Sequence, residues 1–396
     1  MKIYADNAAT TKMSKAAIDT MVYYMNKIYG NPSSLHTIGQ IAKEHLDDAR
    51  QRVAKVLGCE AKEIIFTSGG SEADNQAIIS AAELGKRKGK KHIISTAFEH
   101  HAVLHTLEKL KKQGFEITLL DVHENGLITP QQVADAIKED TCLVTVMFAN
   151  NEIGTIQPIK KIGQICKEKG VLFHTDAVQA AGHLHIDVKE HNIDMLSLSG
   201  HKFNGPKGVG VLYARKGIAL TNIIDGGAQE KGKRAGTENI PAIMAMTVAL
   251  EQAAENMDKA NEKLIALRTQ LISGLSKIPH SLLNGDAENR LPNNVNFCFE
   301  GIEGESLLLL LDMKGVYASS GSACTSGSLD PSHVLLAIGR PHEIAHGSLR
   351  LSLSEENTPE EVEYIVNAVT DVVAYLRSIS PVWRDLQSGK SEFVIK

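Results

Sequence analysis

The chain has 396 residues, a length at which a single hydrophobic core usually gives way to two unequal lobes. Hydrophobic residues make up 43% and charged residues 22%, with a formal net charge of -5, which leaves no electrostatic case for a nucleic-acid partner. The longest purely apolar runs, Leu307 to Leu311 among them, fall far short of the about 20 residues of a membrane helix, and MKIYADNAATT has no signal-peptide core, so a cytoplasmic protein is expected. Cys59, Cys142, Cys166, Cys298 and Cys324 are scattered, fit neither a disulfide framework nor zinc-ligand spacing, and read as free thiols.

Near the amino terminus a polar DNAATT segment at 6 precedes a helical pattern in which Ile18, Met21, Val22 and Met25 share one face, expected to pack inward. From Glu63 to Ala214, β-rich runs alternate with helical segments: IIFT at 64, HIIST at 92, EITLLD at 116, CLVTVMF at 142, VLFHT at 171, IDMLSLS at 193 and VGVLYA at 209. That alternation predicts an α/β fold on a mainly parallel seven-stranded sheet. The basic cluster Lys86 to Lys91 joins a helix to a strand and reads as a solvated turn. Thr129, Pro130 and Gln132 form a helix start with N-cap, first-turn proline and capping-box partner, and Thr358, Pro359 and Glu361 repeat it. The second start opens a helix whose Val362, Ile365, Val366, Val369, Val372, Val373 and Leu376 form one core-facing stripe. Around Glu255 to Lys263 the pattern turns polar, and shorter β-rich runs such as NNVNFCFE at 293 follow. A large domain over 14–257 and a smaller α+β domain from 1–13 and 258–396 are therefore expected.

Five polar clusters follow five of the predicted strands: Ser68 to Glu72, Phe98 to His101, Asn150 to Glu152, Asp176 to Gln179, and Ser199 to Lys202. Carboxyl ends of strands in an open α/β sheet are where ligands bind. Lys202 sits in SLSGHKFNGPKGVG, where burial and neighbouring cations can lower an amine pKa enough for a Schiff base to an aldehyde cofactor, although most lysines are surface charges. TSGGSEADN at 67 places two glycines and Ser71 between strand and helix, an anion cradle that taken alone is also an ordinary turn. Asp176, just past a hydrophobic strand, needs a positive partner, and a protonated pyridine nitrogen would serve. Phosphate cradle, carboxylate, lysine and a ring-stacking His100 together are what pyridoxal phosphate requires.

SSGSACTSGSLDPS, from Ser319 to Ser332, is a small-residue loop with Cys324 in its middle. Such a loop can be a plain linker, but it also gives reach to a nucleophile that must travel from a buried substrate to an outside acceptor. His101 with His105, and His183 with His185, have spacings that could suit a metal, but no carboxylate or cysteine near either pair completes a ligand set.

These landmarks, with GNPSS at 30, EHHAVL at 99, NNEIG at 150, HTDAVQ at 174 and RAGTEN at 234, make the chain resemble, nearly end to end, the cysteine desulfurases of the NifS and IscS type within fold type I of the pyridoxal-phosphate enzymes. The resemblance implies that Lys202 carries the cofactor and that Asp176 pairs with its pyridine nitrogen. It makes Gln179 a donor to the ring hydroxyl and His100 the stacking acid/base. It gives the phosphate to Gly70, Ser71, Ser199 and His201, with Thr237 reaching it from the other subunit of a homodimer. Asn151 and Arg350 would bind the substrate carboxylate. Cys324 would attack the sulfur of L-cysteine, leaving alanine and a persulfide that passes to an iron–sulfur scaffold or a tRNA-thiolation acceptor. No resident metal is implied, Cys324 being at most a transient cluster ligand. Ser71 stands where many relatives carry threonine, Gly70 replaces a common alanine, and the tail matches scaffold-serving relatives through Ser380, Pro381 and Trp383 before diverging. An aminotransferase or selenocysteine lyase would keep the cofactor residues without needing Cys324, and a Cys–His hydrolase would need Cys324 without the cofactor.

Overall fold

A computed structural model of the chain describes residues 1–321 and 331–395. Its centre is a seven-stranded sheet of β2 (Ile64–Thr67), β3 (His92–Thr96), β4 (Glu116–Leu120), β5 (Thr141–Thr145), β6 (Leu172–Asp176), β7 (Met195–Ser199) and β8 (Gly210–Ala214). The order is β2-β8-β7-β6-β5-β3-β4, parallel throughout except for β8, which runs antiparallel to both neighbours. β2, β3, β5, β6 and β7 therefore end at the same edge of the sheet. Helices cover both faces, as a sheet with buried residues on both sides demands. α3 (Gly70–Arg87) and α4 (His101–Lys112) enclose one buried cluster with Ile93, Leu143 and Leu212. α2 (Thr37–Leu57) and α6 (Ile159–Lys169) line the other face, while α5 (Pro130–Ala136) opens with the Thr129–Gln132 capping box.

α7 (Ile240–Leu275) is one unbroken helix of 36 residues. Its first turns, Ile240 to Leu250, pack into the larger core, and from Leu264 onward it packs into a separate one with Ile3, Ala5, Phe297 and Leu349. The polar stretch at 255–263 is thus the exposed middle of a helix shared by both cores, not a linker. The smaller core is built on β9 (Ser281–Leu283), β10 (Asn294–Phe299) and β12 (Ser348–Ser352), all antiparallel neighbours, with α8 (Gly304–Met313) and α11 (Pro359–Ile379) packed on them. β1 (Ile3–Tyr4) pairs in parallel with β11 (Val316–Tyr317), which ties the amino terminus to this unit. α9 (His333–Ala337) and α10 (His342–His346) follow it in the chain, yet their Val334, Leu335, Ile344 and Ala345 join the larger core.

α12 (Pro381–Gln387) is capped by Ser380, and Trp383 lies 4.0 Å from the Arg377 guanidinium. The Glu300 carboxylate accepts the backbone N–H groups of Val394 and Ile395, so the tail folds back onto the smaller unit.

α1 (Lys15–Lys27) departs from expectation. Its buried residues are Ala17 and Tyr24, whereas Ile18, Val22 and Met25 are 45%, 52% and 61% exposed. Helical periodicity shows that a face is apolar and is silent on what covers it.

Candidate active site

The common edge of the five strands gathers the polar turns around Lys202. β7 stops at Ser199, and a single 3-10 turn, Gly200–Lys202, turns the lysine inward. The Lys202 amine donates to the carbonyl oxygens of Ala8 (2.6 Å) and Ala9 (2.8 Å), and Gln179 Nε2 donates to the same Ala8 oxygen (3.0 Å). The DNAATT segment is therefore a strap. Asn7 donates to the Ser352 carbonyl and the Ala8 amide to the Ser352 hydroxyl, so β12 of the smaller unit holds the strap against Lys202. A cleft of about 940 Å³ along this junction reaches Lys202, with Asn7, His183 and Asn293 in its wall.

β6 ends on Asp176, which is 6% exposed and accepts the Val178 N–H at 2.9 Å. Burial pushes its carboxyl up to about 6, although the Val178 amide and the Lys202 charge pull the other way. His100 caps α4: its Nδ1 accepts the Ala102 N–H at 3.1 Å, which places the proton of the neutral ring on Nε2. Burial, then the charge of Lys202 and the other nearby imidazoles, pushes it down to about 4. Asp74, His100 and Asp176 each offer an atom within 4.8 Å of the other two.

The anion cradle lies at the start of α3. Gly69, at φ +155, fills the N-cap position without a side-chain cap, which leaves the first amides of an 18-residue helix facing outward beside an exposed Ser71. A Cβ on Gly70 would stand 2.6 Å from Val178 Cγ2, so a larger residue here would require the Val178 side chain to shift where strand exit and helix start approach. A Cβ on either Gly69 or Gly70 would stand 3.6 Å from Ser199, which brings Ser199 to the same cradle. His201 turns its Nδ1 to Thr10 (3.1 Å), and burial pushes it down to about 4.

Arg350, on β12, is 1% exposed; it donates to Asp6 Oδ1 (3.0 Å) and to the Asn151 carbonyl (3.2 Å), and its Nε has no partner among the described residues. Thr237 is exposed in the 229–239 loop, which is fixed from below by Arg234 on Glu72 (2.9 Å) and by Gln76 donating to the Lys233 carbonyl (2.6 Å). Cys324 lies outside the described residues. The segments on either side of it meet at Glu152, whose buried carboxylate accepts the Ser332 hydroxyl and lies 2.9 Å from where a Cβ on Gly321 would be.

The histidines singled out by spacing form two groups. His101 stacks on His105 (4.9 Å between ring centroids) and lies 4.6 Å from His333, while His183 binds Asn293 and His185 binds Asp258. Sequence reasoning missed Asp6, Asp74, Glu99 and Glu152, all of which stand in or beside this site. Each occurs inside a quoted motif, but burial is what marks Asp74, Glu99 and Glu152, and the ion pair with Arg350 is what marks Asp6; both come from chain segments far away in sequence.

Comparison with known proteins gives a single picture. The model of the family described as "Aminotransferase class-V" matches residues 3–365. The chain is 54% identical to a protein named "Cysteine desulfurase IscS" from Clostridium botulinum, over 99% of each chain. Among solved structures it is similar to a "NIFS-LIKE PROTEIN" (TM-score 0.89, 38% identity, 95% of this chain and 100% of that one). It is also similar to a structure described as "SspA in complex with cysteine" (TM-score 0.79, 36% identity, 90% of this chain and 99% of that one).

Proposed function

Because the chain belongs to the cysteine desulfurase family of class-V aminotransferases, we propose that it takes the sulfur of L-cysteine with the help of pyridoxal phosphate, leaving L-alanine and a persulfide on Cys324. The observation that carries this reading is the meeting of Lys202, Asp176, His100 and the uncapped start of α3 at one sheet edge. The residues suit the cofactor at both ends: helix amides and the Gly69–Gly70 approach for a phosphate, and a buried carboxylate for a pyridinium. When bound, pyridoxal phosphate supplies an aldehyde for amines and a ring that draws electrons from the substrate α carbon.

The chain supplies the rest. Gly70, Ser71, Ser199 and His201 would hold the phosphate, Gln179 the ring hydroxyl and Asp176 the ring nitrogen, while His100 would stack on the ring and hold or move a proton at Nε2. Lys202, poised by the Ala8 and Ala9 carbonyls, would hold the cofactor at rest and, once the amine of cysteine has displaced it, would take the α proton of cysteine on its freed Nζ. Arg350 and Asn151 receive the substrate carboxylate, for which Arg350 must exchange its contact with Asp6. Cys324 thiolate attacks the substrate sulfur; the S–Cβ bond breaks, its electron pair stays with the carbon fragment, and that fragment leaves as alanine after protonation.

The assembly is a homodimer with shared sites. Ile18, Val22, Met25, Tyr29, Leu35 and Ile38 are exposed large apolar residues on and after α1, and a second copy would cover them. Thr237, exposed in its own chain, then reaches the phosphate of the partner. The persulfide passes to an iron–sulfur scaffold or a tRNA-thiolation protein in the cytoplasm; no helix among the described residues is long and apolar enough to cross a membrane.

The test is alanine release from L-cysteine by purified protein with a thiol reductant and no added cofactor. Alanine with matching sulfide is expected. A yellow protein that releases none would move the reaction to transamination or another amino acid.

A further inference from the structure

Beneath Asp176 the site holds more carboxyl groups than the proposed reaction uses. Asp74, in the second turn of α3, is 1% exposed, and its Oδ1 has no hydrogen-bond partner among the described residues. β6 presents Asp176 and His174 to it, β7 presents Ser197, the turn before α4 presents Glu99 and His100, and Lys202 stands above Asp176. His174 Nε2 is 3.6 Å from Asp74 Oδ1 and 3.0 Å from Ser197 Oγ, while its Nδ1 is 2.8 Å from Thr145 Oγ1.

Few positive charges are available to this group. Burial alone drives His174 down to about 3, so it is a neutral ring. Glu99, also fully buried and with Oε2 unpartnered among the described residues, is pushed up to about 8 by burial and is itself neutral. That leaves Asp74 and Asp176, two buried carboxyl groups within 4.8 Å of each other, where the charge of one disfavours ionisation of the other. Asp176 has a backbone N–H from Val178 and the field of Lys202 to hold its charge; what holds Asp74 is the Ser197 hydroxyl.

We propose that Asp74 is a positioning residue that carries a proton at neutral pH, donates it to the Ser197 hydroxyl, and so leaves the negative charge of the floor on Asp176, facing the ring nitrogen of the cofactor. The donors then run in one direction away from Asp74. Asp74 donates to Ser197, Ser197 donates to His174 Nε2, and His174 Nδ1–H donates to Thr145. An ionised Asp74 would reverse the Ser197 hydroxyl, force His174 into its other tautomer, and place a second anion in the floor. Burial, with the charge of Asp176 as the next cause, raises Asp74 well above the ordinary carboxyl range, in agreement with the geometry.

The protonation belongs to the protein alone, while its use toward the ring rests on the cofactor reading, and the test separates the two. The infrared difference between cofactor-free wild type and Asp74→Asn at pH 7 is expected to show the C=O stretch of a protonated carboxylic acid. Ser197→Ala, which keeps Asp74, is expected to shift that band. Asp74→Asn, a neutral isostere, should bind pyridoxal phosphate within about threefold of wild type at pH 7, whereas Asp176→Asn should bind it about tenfold or more weakly. A carboxylate band in place of the acid band, or an Asp74→Asn affinity as low as that of Asp176→Asn, overturns the proposal. A wild type that shows the acid band yet binds no pyridoxal phosphate overturns the cofactor reading, and with it the role toward the ring.

Discussion

Glu230 and Asp176 are both 6% exposed carboxylates, yet their surroundings are opposite in kind. Glu230 meets a fork: Arg50 Nη1 and Nη2 each lie 2.7 Å from one of its oxygens, and the Phe66 N–H donates at 3.1 Å. The same guanidinium lies 4.8 Å from the centre of the Phe66 ring. The pair holds a strained turn, since Glu230 and Lys231 sit at φ +48 and +58, a left-handed conformation costing about 1–3 kcal/mol for each such residue. Its charge is answered within the chain, and its work is to fix the 229–239 loop. Asp176 takes one amide and the field of Lys202, and its carboxyl stays raised toward about 6. A buried carboxylate completed by arginine builds the fold; one left short of a cation is ready for a cation that arrives with a ligand.

Substitutions can break this contrast, and the largest effect is on chemistry. Lys202→Ala should lower alanine formation by about 10^3-fold, as expected for a lost acid–base group, while the folded content seen by circular dichroism stays. The two carboxylates should then part company in stability. Glu230→Gln leaves Arg50 buried and unmatched and should cost about 3–5 kcal/mol in denaturant unfolding. Asp176→Asn in the cofactor-free protein removes a poorly compensated charge and should unfold no more easily than wild type. Equal losses for both would dissolve the distinction.

Acidity sharpens the contrast next. Glu99 is raised to about 8 in the folded chain, above its unfolded value of about 4.5, so its contribution is fully present below about pH 4.5 and is lost as pH rises toward 8. Glu99→Gln should flatten that slope, which melting temperatures at pH 5 and pH 8 would show. His100 and His201, both lowered to about 4, act in the opposite sense, removing stability as pH falls from about 6.5 toward 4. The smallest effect belongs to the surface pair Lys12–Glu356, whose side chains are 74% and 70% exposed. Lys12→Ala should change unfolding free energy by less than about 1 kcal/mol.

The sheet was legible because its signals are local. Each of the seven β-rich runs became a strand, and the capping boxes at Thr129 and Thr358 both formed, since a cap is read within four residues. The polar turns converge because parallel strands end at one edge, which follows from the alternation alone. What escaped depends on distant partners. The DNAATT strap holds Lys202 from nearly 200 positions away, Arg350 finds Asp6, and Glu230 finds Arg50. Asp74 lay in plain view inside TSGGSEADN and looked like an ordinary helix residue, because only the approach of β6 and β7 deprives it of water. The apolar face of α1 is inward at Met21, which packs on the larger core, and exposed at Ile18, Val22 and Met25, since periodicity is the same whether a face meets its own core or another chain.

The central claim is that sulfur from L-cysteine becomes bonded to Cys324, and mass spectrometry of the peptide containing Cys324 after a single turnover tests it most directly. The account predicts one added sulfur atom on that peptide, in step with alanine, removed by a thiol reductant and absent in Cys324→Ser. Alanine formed at the wild-type rate by Cys324→Ser, or sulfur carried on another cysteine, would contradict it.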